Sequence, residues 1–264
     1  MSDQLTGLAG KRNTGAGIVL AYAWIVWGLF ILSAIYLLGF VGGFLVPKTV
    51  DSGTMSAWPL ALMINLELLA LFGLQHSVMA RPWFRQWLSR QVPPAAVRST
   101  YVLASVLVLA LLFWQWRPIP VTIWRLEHPL AQAPMWLLFA AGWGLMAVST
   151  TWISQADLIG LRQARLHYAG REYTPVPFQI RAGYRFCRHP MMLGVIAGVW
   201  FTPHLTVGHA LLAAGFTVYI LIGVYFEERE AVRDLGEEYQ AYRSRVPMLI
   251  PWPGRSVPAQ RREP

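Results

Sequence analysis

Six apolar stretches separated by short polar segments organise this chain. They run over residues 18–45, 58–80, 99–116, 133–154, 190–204 and 206–226. A membrane-crossing helix needs about 20 apolar residues, so the pattern predicts an all-α polytopic membrane bundle of about six spans. The fifth stretch is short. Thr202-Pro203-His204 breaks it from the sixth, which predicts that the last two spans form a tight helical hairpin. Beyond the sixth stretch, Val232, Leu235, Tyr239, Tyr242 and Val246 recur at spacings of three and four, while Arg229, Arg233, Glu237 and Glu238 fall mostly outside that stripe. This is the pattern of a C-terminal amphipathic helix, lying on the membrane surface or folded over a pocket.

Composition agrees with a membrane protein. The 264 residues are 55% hydrophobic and 13% charged, against about 25% charged in soluble domains. The net charge of +9 raises nucleic acid as a partner, but the distribution of charge points to topology instead. With the N-terminus inside, segments 1–17, 81–98, 155–189 and 227–264 hold 19 of the 22 Lys and Arg residues; the outer side holds only Lys48, Arg117 and Arg125. That asymmetry predicts six spans with both termini cytoplasmic, and the lipid bilayer as partner. Trp114, Trp116 and Trp124 suit the outer interface, and Trp83, Trp87, Trp152 and Trp252 the inner one. Lys11 and Arg12 precede an apolar run too long for a signal peptide, so that run reads as a retained span. A single cysteine excludes an internal disulfide and a cysteine zinc cluster, and no metal is expected. The chain reads as one domain over 1–264, with a cytoplasmic cap formed by 155–189 and 227–251 and no obligatory protein partner.

The chemistry-bearing residues gather at the inner end. Tyr184-Arg185-Phe186-Cys187-Arg188-His189-Pro190 opens the fifth stretch and is followed by Gly194. Glu227-Glu228 closes the sixth, and Val246-Pro247-Met248-Leu249-Ile250-Pro251 ends the tail. A hairpin returns the chain to its starting side, so these groups can meet. The constellation resembles the C-terminal signature of the integral-membrane methyltransferases, the superfamily of isoprenylcysteine carboxyl methyltransferase and the phospholipid N-methyltransferases. Earlier blocks, Gly73-Leu74-Gln75-His76-Ser77 through Arg81-Pro82 and Arg98-Ser99-Thr100-Tyr101, are similar to those of its NnrU and nurim-related branch. In that branch the likeness is greatest to the bacterial enzymes that convert methanethiol to dimethyl sulfide.

The resemblance implies S-adenosyl-L-methionine as cofactor and S-adenosyl-L-homocysteine as product, with a small volatile thiol as substrate in sulfur metabolism and a bacterial inner membrane as location. It implies that His189, Gly194, Glu227 and Glu228 belong to the cofactor site, with Tyr184, Arg185, Arg188 and Pro190 from the same motif. The residues themselves suit that ligand. Arg185, Arg188 and His189 offer positive charge for a carboxylate, the two glutamates face the ribose and amine, and Tyr239 and Tyr242 supply a flat slot. Two departures stand out: Met192 replaces a tyrosine common in the superfamily, and Gly183 directly abuts Tyr184. No Gly-rich loop follows a strand, so a soluble dinucleotide-type methyltransferase fold is not supported.

A thiolate attacks far better than a thiol, so the acceptor needs a base or a positive field. His76, Asp157 and Arg98 are the catalytic candidates, with Arg165 a further cation. Asn65 and His76 share a helical face and Glu67 lies opposite. As an intramembrane acid, Glu67 is either a site residue or a buried helix-to-helix hydrogen-bonding group. Cys187 reads as a small interfacial residue, since no covalent step is required. Methylation of a prenylcysteine carboxylate or a lipid amine, and a non-catalytic nurim-like role, are the alternatives. A transporter is disfavoured, because no inverted repeat is visible.

Overall fold

The structure is a computed structural model that describes residues 14–254, 256 and 257. Lys11 and Arg12 lie outside the described residues. Ten helices are described: α1 (Thr14–Gly42), α2 (Trp58–Ala80), α3 (Pro82–Leu88), α4 (Val97–Gln115), α5 (Pro129–Ile153), α6 (Gln155–Ile159), α7 (Leu161–Tyr168), α8 (Pro190–Trp200), α9 (Val207–Leu235) and α10 (Glu237–Arg245). Two short strands, β1 (Thr122–Arg125) and β2 (His204–Thr206), pair antiparallel. The protein is an all-α polytopic membrane bundle. Among the described residues, five helices are long and apolar enough to cross a bilayer: α1, α2, α4 with its preceding 3-10 turn, α5 and α9.

The fifth apolar stretch is built differently from the expected span. Helix α8 has 11 residues, about 16 Å at 1.5 Å per residue, roughly half a hydrocarbon core. The chain then continues in extended form through β2 to the start of α9. Strand β2 pairs with β1, which lies between α4 and α5, so the two segments reach the same end of the bundle. Lipid-depth backbone that is not helical must be satisfied by protein. Here the Leu126 amide donates to Pro203 O (2.9 Å), the Trp124 indole to Thr202 O (3.1 Å) and the Val207 amide to Val121 O (2.8 Å).

Helix α8 packs chiefly on α5, and glycines set the distance. A Cβ on Gly194 would lie 2.5 Å from the Met146 backbone nitrogen, and one on Gly142 would lie 2.6 Å from the Gly198 nitrogen. Gly194 and Gly198 are four apart, the small-xxx-small spacing that lets membrane helices approach closely. Gly194, expected in the cofactor site from the resemblance, is therefore placed at this helix contact.

The apolar core gathers Phe40, Leu112, Trp116, Phe139, Trp143 and Leu212 from α1, α4, α5, α9 and the turn after α4. Trp116, expected at the membrane interface, is fully buried and its indole donates to Val50 O at 3.1 Å. Trp114, Trp83, Trp87 and Trp252 are exposed, as interface residues would be. Asn65 is also fully buried and makes two bonds to the Arg117 backbone, donating from Nδ2 to the carbonyl (2.7 Å) and accepting from the amide (2.9 Å). It thereby caps the chain leaving α4. Glu67 is exposed on α2, so it is not the buried helix-to-helix hydrogen-bonding group that was the other expectation.

The C-terminal stripe is not one helix. Gly236, with φ of 58°, ends α9 and starts α10, so the chain turns there. The turn folds the stripe together: Tyr239, Tyr242 and Val246 pack with Phe178, Val232 and Leu235.

The glycine contact predicts a graded response. Gly194→Ala and Gly142→Ala each lower stability by about 1–3 kcal/mol through overpacking. A methyl added at Gly144 would have nothing within 4 Å, so Gly144→Ala leaves stability unchanged or slightly raised. Thermal unfolding of the three variants in detergent checks the order.

Candidate functional site

At 1.5 Å per residue, α9 is about 44 Å long, well beyond the hydrocarbon thickness. Its last turns therefore carry Glu227, Glu228 and Asp234 past the apolar core, where the Arg188-His189-Pro190 junction begins α8. Pro190 occupies the first turn of α8, where its missing N–H costs no hydrogen bond.

The junction is clamped by the tail. The Arg188 amide donates to Pro247 O (3.0 Å) and the His189 amide to Met248 O (3.1 Å). The Arg188 guanidinium donates from Nε to Glu228 Oε1 at 2.6 Å, and from Nη1 to Arg243 O (3.1 Å) and to Val246 O. Both partners of the Arg188–Glu228 pair are buried. Arg243 adds a longer contact to Glu228 Oε2 at 3.6 Å. His189 Nε2 is 3.2 Å from Glu228 Oε1; a carboxylate only accepts, so the imidazole presents Nε2–H there. This leaves Nδ1 toward Glu227, whose Oε2 is 3.8 Å away. Glu227 itself is 61% exposed at its side chain. The adjacent glutamates are thus unlike: Glu228 is committed within the protein, and Glu227 is open.

Beside this clamp is a cavity of about 420 Å³, within the range of about 300–1,000 Å³ typical of small-molecule sites. His189, Arg188 and Glu227 line it, with Asp234 and the rings of Trp152, Phe178, Tyr184, Tyr239 and Tyr242. The Tyr242 hydroxyl donates to Tyr184 O at 2.6 Å. Gly183 lies under the Trp152 ring, where a Cβ would come within 2.2 Å of it. The abutting Gly183-Tyr184 pair therefore lets Tyr184 stand edge-on to Trp152, with centroids 6.3 Å apart. Burial pushes the Tyr239 phenol up to about 12, with the Glu228 charge adding to the effect. Burial and the Glu227 charge raise Tyr184, and burial and Tyr239 raise Tyr242. All three stay protonated at neutral pH.

The structure divides the residues singled out in the sequence. Tyr184, Arg188, His189, Glu227, Tyr239 and Tyr242 come together around one cavity. Glu228 stands behind it, holding Arg188 and His189. Arg185 turns away, donating from Nε to Val257 O at 2.9 Å. Cys187 is buried and its thiol faces Met248 O at 3.5 Å; burial raises its pKa, which disfavours the thiolate.

The three acceptor-side candidates lie elsewhere. Asp157 binds Arg162 (3.0 Å) and accepts from the Tyr173 hydroxyl (3.2 Å). Arg98 donates from Nε to Leu158 O at 2.7 Å. Both line a second cavity, of about 1060 Å³. His76 packs among Phe72, Tyr101 and Tyr219, and Nδ1 is 3.2 Å from the Ser105 hydroxyl. Arg165 lies over the Trp24 ring, 4.8 Å from its centroid.

Sequence reading missed Trp152, Phe178 and Asp234 as wall residues. Trp152 has the signature of an interface tryptophan. Phe178 lies in the aperiodic segment 171–181. Asp234 follows Arg233 on the tail helix and reads as part of a solvated charge pattern. The Phe178 ring, 5.7 Å from that of Tyr242, is placed by tertiary contact alone.

The chain is similar to known proteins along most of its length. The family model described as NnrU protein matches residues 64–252. Methanethiol S-methyltransferase of Mycobacterium tuberculosis is 44% identical over 239 residues, covering 89% of this chain and 98% of the relative. Methanethiol S-methyltransferase 2 of Bradyrhizobium diazoefficiens is 45% identical over 236 residues, covering 88% and 90%. Nurim of Bos taurus is 30% identical over 168 residues, covering 60% and 63%. No solved structure matches the chain.

The unlike glutamates give a stability prediction. Glu228→Ala leaves Arg188 as a buried uncompensated charge and costs about 3–5 kcal/mol. Glu227→Ala, at an exposed position, changes stability by less than about 1 kcal/mol. Denaturant unfolding in mixed micelles measures the difference.

Proposed function

The chain belongs to the NnrU protein family, and on that premise we propose that it is an integral-membrane thiol S-methyltransferase. It uses S-adenosylmethionine and converts methanethiol to dimethyl sulfide. The single observation that carries this reading is the cavity at the Arg188-His189-Pro190 junction, where five aromatic rings and the exposed Glu227 carboxylate share one lining at the end of the bundle. Relatives named for that activity, 44–45% identical over about nine-tenths of the chain, support the acceptor.

The residues fit the cofactor chemically. A sulfonium and an ammonium group are drawn to carboxylates; Glu227 provides one, and Asp234, paired with Arg233 at 2.9 Å, stands beside it in the lining. Adenine needs a flat apolar surface, which Trp152, Phe178, Tyr184, Tyr239 and Tyr242 provide. When bound, S-adenosylmethionine supplies an electrophilic methyl group; the protein has to bind, align and keep out water. Glu228 is a positioning residue. By fixing Arg188 and His189 it holds the cavity floor, and through the Nε2–H bond it keeps Nδ1 of His189 on the Glu227 side. The protonated phenols remain hydrogen-bond donors. Arg98 and Asp157, engaged with Leu158 and Arg162, shape the neighbouring compartment. His76 supports Tyr101 in the wall of that compartment.

In this reading the junction lies on the cytoplasmic side of the inner membrane, supported by the excess of Lys and Arg in the segments at that end. The acceptor is small and apolar and can arrive from the bilayer.

Headspace gas chromatography tests the reaction on purified protein given S-adenosylmethionine and methanethiol. Dimethyl sulfide is expected from the native protein, with loss in His189→Ala. Calorimetric titration with the cofactor is expected to weaken by about 10- to 100-fold in Glu227→Gln, the loss of one contact to a charged group. Cofactor binding without dimethyl sulfide would sink the acceptor assignment; prenylcysteine and lipid amines would then be supplied in its place.

A further inference from the structure

The larger cavity, about 1060 Å³, is more than twice the size of the first and is far too large for a thiol of one carbon. Its walls come from the start of α1, the end of α2, α3, the start of α4, and α6–α7 with the loop that follows. Two kinds of surface meet in it. Met79, Leu88 and Val97 are apolar, whereas Arg85, Arg98 and Arg171 are cationic. The acids in the same wall are Asp157 and Glu172. Asp157 is already committed, one oxygen to Arg162 and the other to the Tyr173 hydroxyl. Among the described residues, neither Arg85 nor Arg171 has a carboxylate within ion-pair distance. Arg98 is fixed by its Nε bond to Leu158 O. Three guanidinium groups thus face one uncommitted acid, Glu172, and the cavity carries excess positive charge.

Its depth in the membrane is set by α3. Trp83 and Trp87 are one helical turn apart and exposed (61% and 49%), on a short helix whose Leu88 is buried. Indoles presented this way settle at headgroup level, between hydrocarbon and water. The same helix turns Arg85 and Leu88 into the cavity. A compartment at headgroup depth with apolar walls and excess guanidinium charge matches one class of molecule.

The geometry points to a binding site for an anionic phospholipid of the surrounding membrane, with its phosphate held by Arg85, Arg98 and Arg171 and its first acyl carbons against Met79, Leu88 and Val97. Guanidinium groups suit phosphate because their planar donors match its oxygens. The bilayer supplies such lipids at this depth, whereas a soluble phosphate would gain nothing from the apolar wall.

Native mass spectrometry of the detergent-purified protein, titrated with dioleoyl phosphatidylglycerol or dioleoyl phosphatidylcholine, tests the site. Retention of the anionic lipid is expected to exceed that of the zwitterionic lipid by about tenfold, the effect of one charge-assisted contact. Arg85→Gln/Arg171→Gln is expected to abolish that preference, and Arg85→Lys/Arg171→Lys to keep most of it, which separates charge from folding. Equal retention of the two lipids by the native protein, or an unchanged preference in the glutamine variant, overturns the site. Glycerol 3-phosphate binding as tightly as the lipid overturns the lipid assignment in favour of a soluble phosphate. A raised KM for methanethiol in the glutamine variant with lipid preference intact puts the cavity on the acceptor's path and likewise overturns it.

Discussion

The buried pair of Arg188 and Glu228 holds the functional end of this protein together. It joins the start of α8 to the end of α9, and through Arg243 O and Val246 O it also holds the tail. Such a pair adds little net stability compared with an apolar substitute, since both ions lose hydration. Its value lies in geometry. A guanidinium satisfied at one carboxylate and two carbonyls has few alternative placements, and its neighbour His189 is fixed by the same carboxylate. The tail segment Val246-Pro247-Met248 completes the arrangement by accepting the two junction amides. Pro247 has no backbone N–H, so it offers an acceptor to the junction without a donor that would need a partner.

The short α8 is possible because α5 approaches it so closely. Glycines 142, 194 and 198 remove the side chains that would otherwise keep the backbones apart. In lipid, where hydrophobic transfer does not drive helices together, close van der Waals contact takes that role. Shortening α8 leaves an extended segment inside the protein, and β1 with the outer loops supplies its hydrogen bonds. The half-length helix and the two-strand patch are therefore one solution. It places the Arg188-His189 junction at one end of the bundle and β2 at the other.

Two compartments open at the junction end, and their chemistries differ. The smaller is aromatic, with a fixed histidine beside the Glu227 carboxylate. The larger combines apolar side chains with the guanidinium groups of Arg85, Arg98 and Arg171. Tyr101 forms part of its wall, backed by the His76 ring at 4.9 Å. If the proposed methyl transfer takes place in the smaller pocket and the proposed lipid occupies the larger one, the division keeps the reacting groups apart from the bilayer's own components.

Much of this is legible in the sequence, for definite reasons. Long apolar runs can only be bundled helices in a bilayer, and α2 falls on the expected residues 58–80. The Arg188-His189 motif and Glu227 meet because the chain returns to its starting side, which follows from the order of the apolar stretches. Other features depend on contacts between distant segments. Glu227 and Glu228 are adjacent and identical, yet only the α-helical phase of α9 against Arg188 makes one buried and the other open. Gly194 sits within the motif, and its close approach to Met146 on α5 is visible only in the assembled bundle. Asp157 and Arg98 read as isolated charges along the chain, and their partners Arg162 and Leu158 are apparent only once the helices are assembled. Hydrophobic periodicity is a local property carried by each segment, so sequence alone determined most of the elements and their order. Burial, pairing and cavity shape belong to two or more segments at once, and only the tertiary structure decided them.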